Sequence, residues 1–122
     1  MSRLLGAILL LAAQTAWAQT TIVYSRADAS TAQRAYRLAA VYDTVAMDSA
    51  LRPGIPWRPA MLLAICHSQR VLLLWSRRAA ASVEVAREIQ AAALCGVPVV
   101  PVLLDSTRLP DDVGQLQAVD WR

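Results

Sequence analysis

The sequence predicts a three-layer α/β domain built on a parallel β-sheet. Short apolar or β-branched runs alternate with longer segments of helical periodicity along the chain. The most central run, Val71 to Leu74, is a four-residue apolar block typical of a strand that is covered on both faces. With 122 residues and 57% apolar content, the chain is long enough for one domain with its own core.

The first eighteen residues have the pattern of an export signal. Met1–Arg3 is a short basic start, Leu4–Ala13 is apolar, and Ala16–Ala18 is a small-x-small cleavage site before Gln19. The apolar stretch is short for a membrane span, which needs about 20 residues. We expect a cleaved signal peptide, with an uncleaved membrane anchor or a misassigned start as alternatives. The protein would then be exported or anchored through residues 4–18, and otherwise cytoplasmic.

The charge pattern does not indicate a nucleic-acid partner. The chain has arginines but no lysine, and its formal net charge is +3. The arginines are scattered along the chain and are not interleaved with aromatic residues on one segment, as a nucleic-acid surface would require.

The first half of the chain predicts two strands, one helix and one long loop. The predicted elements are a strand at Thr20–Tyr24, a helix at Ala29–Ala40, a strand at Tyr42–Met47 and a loop at Ser49–Pro56. The helix has few large apolar residues, so we expect it to be half exposed and to pack through alanines.

The second half predicts two further helices around the central strand. Trp57–His67 is helical, Trp75–Arg78 is a polar corner, and the next helix begins after an N-cap at Ser82 and ends at Cys95-Gly96. Val97–Leu104 is a strand whose two prolines place it near a sheet edge or make it irregular. A helical turn at 111–115 and a last strand at 118–120 complete the prediction.

The two cysteines do not have the spacing of a metal site. Cys66 and Cys95 each close an apolar helical segment, so we expect two buried thiols, with a disulfide permitted if the chain is exported. His67, the only histidine, is interpreted as a polar residue of a last helical turn rather than a catalytic base. We therefore expect no metal.

Glu88 is the first candidate for a catalytic residue. Val85, Ile89 and the alanines at 92 and 93 form an apolar stripe, and Glu84 and Glu88 are expected to share a different helix face. The helix follows the central strand, and open α/β sheets bind ligands in the crevice beyond the carboxyl ends of their strands. The alternative is that Glu88 is a solvated helix residue.

Six motifs in order resemble those of the bacterial Toll/interleukin receptor (TIR) domain family. Ile22–Asp28 is similar to the opening box F-I-S-Y-S-R-x-D, and Met47-Asp48 with Leu51–Trp57 is similar to the second strand and its R-x-G…W loop. The remaining four boxes are carried by 64–76, 82–89, 96–104 and 109–120. The resemblance departs from the family at Glu84, where many relatives have tryptophan.

The resemblance implies a flavodoxin-like three-layer α/β fold with a central parallel sheet of about five strands. Residues 20–122 would form the TIR-like domain. Since the family usually continues into one more helix, the resemblance implies a domain lacking its last helix.

The resemblance also implies a function, which is cleavage of NAD at the nicotinamide–ribose bond, signalling through TIR–TIR assembly, or both. The family's catalytic glutamate falls on Glu88, and a carboxylate stabilises the positive charge that develops on the ribose. The residues expected around NAD are Ser25 and Arg26 at the phosphates, Arg52, Pro53, Gly54 and Trp57 as a loop and aromatic wall, and Ser76 as the floor. NAD would be a substrate, with no permanently bound cofactor.

Two other function classes remain open at this stage. The same domain could be a non-catalytic interaction module, in which the loop around Pro53 inserts into a neighbouring copy. It could also be an N-glycosidic enzyme acting on nucleosides, because that chemistry uses a carboxylate placed in the same way. Export would remove the protein from the cytoplasmic NAD pool. It would therefore favour a binding function or the function of a delivered toxin.

Overall fold

Five parallel strands form one sheet at the centre of the molecule. The computed structural model describes residues 19–48, 57–111, 113 and 118–122, without the side chains of Trp57 and Arg58. The predicted export signal, the loop at 49–56 and most of the turn at 111–115 lie outside these residues. The strands are β1 (Gln19–Val23), β2 (Thr44–Ala46), β3 (Arg70–Trp75), β4 (Val99–Leu103) and β5 (Val119–Asp120).

The strand order is β2-β1-β3-β4-β5, with every neighbouring pair parallel. This order is that of the flavodoxin-like doubly wound sheet, whose direction of winding changes between β1 and β3. The predicted fold class is confirmed. As predicted, β4 lies near the edge, one strand in from the short β5.

Four α-helices of the described residues connect the strands. They are α1 (Ala29–Ala39), α2 (Trp57–Cys66), the short α3 (Arg77–Ala80) and α4 (Val83–Leu94). The sequence predicted α1, α2 and α4. Where α3 forms, it predicted a polar corner and no helix. Ser76 caps α3, and Ser82 caps α4 by accepting the backbone N–H of Val85 at 3.2 Å, as predicted.

The helices of the described residues lie on both faces of the sheet. On one face, α1 packs through the buried Ala32 and Ala35 against Ile22 and Leu74, as predicted for a helix that is rich in small residues. On the other face, α2 and α4 bury Ile65 and Val85 against β3. Among the helices of the described residues, none is long and apolar enough to cross a membrane.

A disulfide joins the carboxyl-terminal ends of α2 and α4. Cys66 is the last residue of α2 and Cys95 is the C-cap of α4, and both are exposed. The expectation of two buried thiols is therefore wrong. Both helices return from the carboxyl ends of the strands to their amino ends, so their last residues meet at the same end of the sheet. Gly96 follows with φ of 68°, a left-handed conformation that ends α4.

Candidate functional site

Polar residues gather where β1 and β3 end, at the point where the winding of the sheet changes direction. After Val23 the chain passes through Tyr24 and Ser25 into a 3-10 turn at Arg26–Asp28. Ser25 caps this turn by accepting the backbone N–H of Ala27 at 3.4 Å. The side chain of Arg26 is exposed on the rim, so the structure places both predicted phosphate-binding residues at the crevice edge.

Ser76 ties the ends of β1 and β3 together. Its buried hydroxyl accepts the N–H of Ala79 at 3.1 Å and donates to Oδ2 of Asp28 at 2.5 Å. Asp28 precedes α1, but its side chain makes no cap hydrogen bond to that helix. Ser76 and Asp28 therefore fix the geometry of the crevice.

Glu88 is buried in the second turn of α4. It is 7% exposed and lies between Val85 and Ala92 on the buried stripe of the helix. The prediction that it shares with Glu84 a helix face apart from the apolar stripe is wrong, because position 88 falls three residues after Val85 and four before Ala92. Glu84 is the solvated one, 40% exposed and 3.9 Å from Arg87. The interpretation of Glu88 as a solvated helix residue is therefore wrong as well.

The environment of Glu88 disfavours its negative charge. Burial is the largest cause that raises the pKa of the Glu88 carboxyl, from its ordinary value of 4.5 to about 8, and the charges of Asp48 and then Glu84 act in the same direction. Within the described part of the chain, no hydrogen bond or ion pair compensates this carboxyl. A buried acid of this kind is typical of a functional site, although structural networks also produce such shifts.

Asp48 is the residue at this site that sequence reasoning missed. It follows β2, is half-buried, and accepts a hydrogen bond from the hydroxyl of Tyr24, which follows β1. A signal for it is visible only once β1 and β2 are known to be neighbours, since polar side chains that follow neighbouring parallel strands emerge at the same edge of the sheet. The structure therefore has two groups of polar side chains at this edge of the sheet. One group is Ser25, Asp28 and Ser76, and the other is Tyr24, Asp48 and Glu88. The two groups are connected because Tyr24 and Ser25 are adjacent in the chain.

For four of the predicted site residues, the structure describes no side chain. Arg52, Pro53 and Gly54 lie outside the described residues, and for Trp57 only the backbone is described, at the start of α2. Their assignment to the NAD site stays a prediction.

A cavity of about 250 Å³ lies beside the first turns of α4. Its walls include Trp75, Ala79, Val85, Ile89 and Pro110. Trp75 is held there by a hydrogen bond from its indole N–H to the carbonyl of Arg108 at 3.0 Å. Glu88 is on the same helix but is not a lining residue of this cavity. No group of three or more metal-ligating side chains occurs among the described residues.

Comparison with known proteins agrees with this architecture. The family model of the TIR domain matches residues 21–122. The fold is similar to the crystal structure of the TIR domain of the Toll-related receptor TRR-2 from Hydra magnipapillata, with a TM-score of 0.71 and 16% identity over 84% of this chain and 82% of that chain. No curated protein sequence matches the chain.

At 16% identity the likeness to the Hydra domain shows the fold alone, whereas the family match spans most of the chain. TIR domains belong to signal transduction and typically associate with other TIR domains. The chain is a member of the TIR domain family.

Proposed function

We propose that this TIR domain cleaves NAD at the nicotinamide–ribose bond, with Glu88 as the catalytic carboxylate. The observation that carries the proposal is the burial of a carboxyl on α4 that no described residue compensates, near the carboxyl ends of β1 and β2. Ligands of open α/β sheets bind at this edge, next to the point where the winding direction changes.

The chemistry needs one carboxylate and no strong acid. As the C–N bond breaks, its electron pair goes to the pyridinium nitrogen, so nicotinamide leaves neutral and positive charge develops on the ribose. A carboxylate in a water-poor site stabilises that charge more strongly than it would in water. Water then adds to the ribose and loses a proton, which gives ADP-ribose; attack by a group of the substrate itself would give a cyclic product.

The experiment compares two glutamates that lie four residues apart on one helix. Purified protein is incubated with NAD, and nicotinamide release is measured by chromatography for the wild type, Glu88→Gln and Glu84→Gln. We expect Glu88→Gln to lower the rate by about 100-fold or more, the order found when a group that stabilises the transition state is removed. Glu84→Gln should stay close to wild type. Absence of nicotinamide release at concentrations where the protein is fully assembled would contradict the proposal.

A second candidate function is signalling by assembly with other copies of the domain. The observation that favours it is a group of exposed apolar side chains at the end of α1 and in the turn that follows, which are Leu38, Val41 and Tyr42. Contiguous apolar side chains on a surface often mark interaction sites. Replacement of Val41 and Tyr42 by serine should then lower the mass measured by light scattering at high protein concentration, without loss of helical signal.

We further propose that the protein is exported, so that it would cleave NAD as a delivered toxin and not in the cytoplasm in which it is made. The pattern of residues 1–18 favours a cleaved signal, and an exposed disulfide favours an oxidising compartment, since exposed cysteines of cytosolic proteins are kept reduced. Mass spectrometry of the mature chain should find Gln19 as its first residue. A mature chain that begins at Met1 and carries free thiols would contradict export.

A further inference from the structure

The cavity beside the first turns of α4 has no role in the proposed reaction, and Glu88 does not line it. Its walls come from the end of β3, from α3 and α4, and from Pro110 in the loop after β4. Three wall residues belong to the hydrophobic core and are almost inaccessible to solvent, since Trp75 is 5% exposed and Ala79 and Val85 are each 1% exposed. The cavity is therefore a recess of the apolar core, and it shares no lining residue with the polar groups of the crevice.

Small side chains leave the space between α3 and α4. Ala79 and Ala80 line the cavity from α3, and Ala86 lines it from α4. Ala80 and Ala86 are exposed, so the cavity opens to solvent on their side. Protein interiors are normally packed about as densely as organic crystals, with few spaces larger than a water molecule. A cavity of about 250 Å³ is large by this standard, and an occupant would give its wall atoms close contacts.

The described side chains that line the cavity carry no ionisable group. Val85, Ile89 and Pro110 are aliphatic, and the indole N–H of Trp75 already donates to the carbonyl of Arg108 at 3.0 Å. A charged ligand would lose its hydration here without a compensating partner. Apolar cavities of about 150 Å³ that are lined by aliphatic and aromatic side chains stay dry and bind benzene. The chemistry of these walls therefore favours an uncharged apolar ligand.

We propose that this cavity is a binding site for a small uncharged aromatic molecule of one or two fused rings. The ring of Trp75 is held by its hydrogen bond and provides an aromatic partner for offset or edge-to-face contact, while Val85 and Ile89 provide aliphatic walls. The site goes beyond the proposed function, because NAD carries charged phosphates that these walls do not accommodate. It lies on the same turns of α4 as Glu88 but has a different lining.

The test uses toluene and benzoate, which share one ring and differ in the charge of its substituent. Binding of each to the purified protein is measured by calorimetry, and nuclear Overhauser effects from toluene to the methyl groups of Val85 and Ile89 locate the ligand. We expect saturable binding of toluene that is tighter than that of benzoate by about 10-fold or more, because nothing in the walls compensates the charge. Toluene should also raise the temperature of unfolding, as a ligand of the folded state does.

Two exposed alanines of α4 give a matched pair of variants. Ala86 lines the cavity, whereas Ala93 does not. Ala86→Leu places a larger apolar side chain in the cavity and should weaken toluene binding by about 10-fold or more, while Ala93→Leu should leave it within about 2-fold of the wild type. Leucine and alanine are both good helix formers, so the two variants are expected to retain α4. Ala80→Leu fills the cavity from α3 and should weaken binding in the same way if Ala86→Leu does not fold.

Four outcomes would overturn the inference. They are the absence of saturable toluene binding up to its solubility limit, equal binding of benzoate, Overhauser contacts at other residues, and equal effects of Ala86→Leu and Ala93→Leu. A toluene affinity that falls as the protein concentration rises would also overturn it, since a second copy of the chain would then be the occupant. None of these measurements depends on NAD cleavage, so failure of the enzyme proposal and failure of this inference are seen separately.

Discussion

The two ends of the sheet differ in the surroundings of their acidic side chains. At the amino end, Asp43 accepts from the Thr20 hydroxyl at 2.7 Å and pairs with Arg70 at 2.8 Å, and the disulfide clamps α2 to α4. At the carboxyl end, Glu88 is buried and the charge of Asp48 disfavours its ionisation, and no cation of the described residues forms an ion pair with either. The difference fits the proposed function, in which the carboxyl end holds the site and tolerates uncompensated groups while the amino end is built for stability.

The largest effect should come from the pH dependence of stability, through Glu88. The unfolded chain loses this proton near pH 4.5, whereas the folded domain retains it up to about pH 8. Between these values the folded state binds one more proton, so stability falls as the pH rises, and above pH 8 it falls no further. The loss amounts to a few kcal/mol, with an upper bound of about 5 kcal/mol.

Urea denaturation of the wild type and Glu88→Gln at pH 5 and pH 8 measures this loss. Because glutamine does not ionise, the stability of the variant relative to the wild type should rise by that amount between the two pH values. Glu84→Gln is the matched control and should show little change. If the free energy of unfolding changes equally with pH in the wild type and in Glu88→Gln, the contrast between the two ends of the sheet is contradicted.

Removal of the disulfide should have the next largest effect. Cys66 and Cys95 are separated by 29 positions, and opening a loop of that size costs about 3–4 kcal/mol in the chain-entropy account. The double variant Cys66→Ser/Cys95→Ser should be less stable than the oxidised wild type by this amount in chemical denaturation. The wild type treated with a dithiol reductant should match the double variant. If the reductant leaves the free energy of unfolding of the wild type unchanged, the disulfide does not stabilise the amino end of the sheet.

Asp43→Ala should cost about 2–3 kcal/mol, because it leaves the buried Thr20 hydroxyl without its acceptor and Nη2 of Arg70 without its carboxylate partner. The control is Asp111→Ala, which breaks an exposed pair with Arg108 and should cost less than about 0.5 kcal/mol. Thermal unfolding of both variants tests the prediction, and equal costs for the two would show that Asp43 is not a special feature of the amino end.

The sequence predicted the fold well because its local signals agree with one another. Ser82 is an N-cap that begins α4, Gly96 supplies the left-handed residue that ends it, and Val71 to Leu74 is apolar enough to be a central strand. Each of these features acts through neighbouring residues in the chain, so it is visible without a structure.

The site was predicted less well because it depends on contacts between distant segments. The spacing from Val85 and Ala92 places Glu88 on the apolar stripe of α4, but a charged residue within such a stripe is normally assigned to the neighbouring face, and this assignment was wrong here. The disulfide has a signal that was not used: in a parallel α/β domain successive helices run in the same direction, so cysteines at the ends of two helices can meet. The pairing of Asp48 with Tyr24 needs the strand order, which local patterns do not give.

The smallest effect compares two serine caps at the carboxyl end. The hydroxyl of Ser76 is buried and makes two hydrogen bonds, to Ala79 and Asp28, whereas that of Ser25 is half-exposed and accepts from Ala27 at 3.4 Å. Ser76→Ala should therefore cost about 1–2 kcal/mol and Ser25→Ala about 0.5 kcal/mol or less. Ser76→Thr retains the hydroxyl and should recover most of the loss, as measured by urea denaturation. If Ser25→Ala costs as much stability as Ser76→Ala, the rim of the crevice contributes to stability as much as its floor does. The case for a functional site at this end of the sheet would then rest on Glu88 and Asp48 alone.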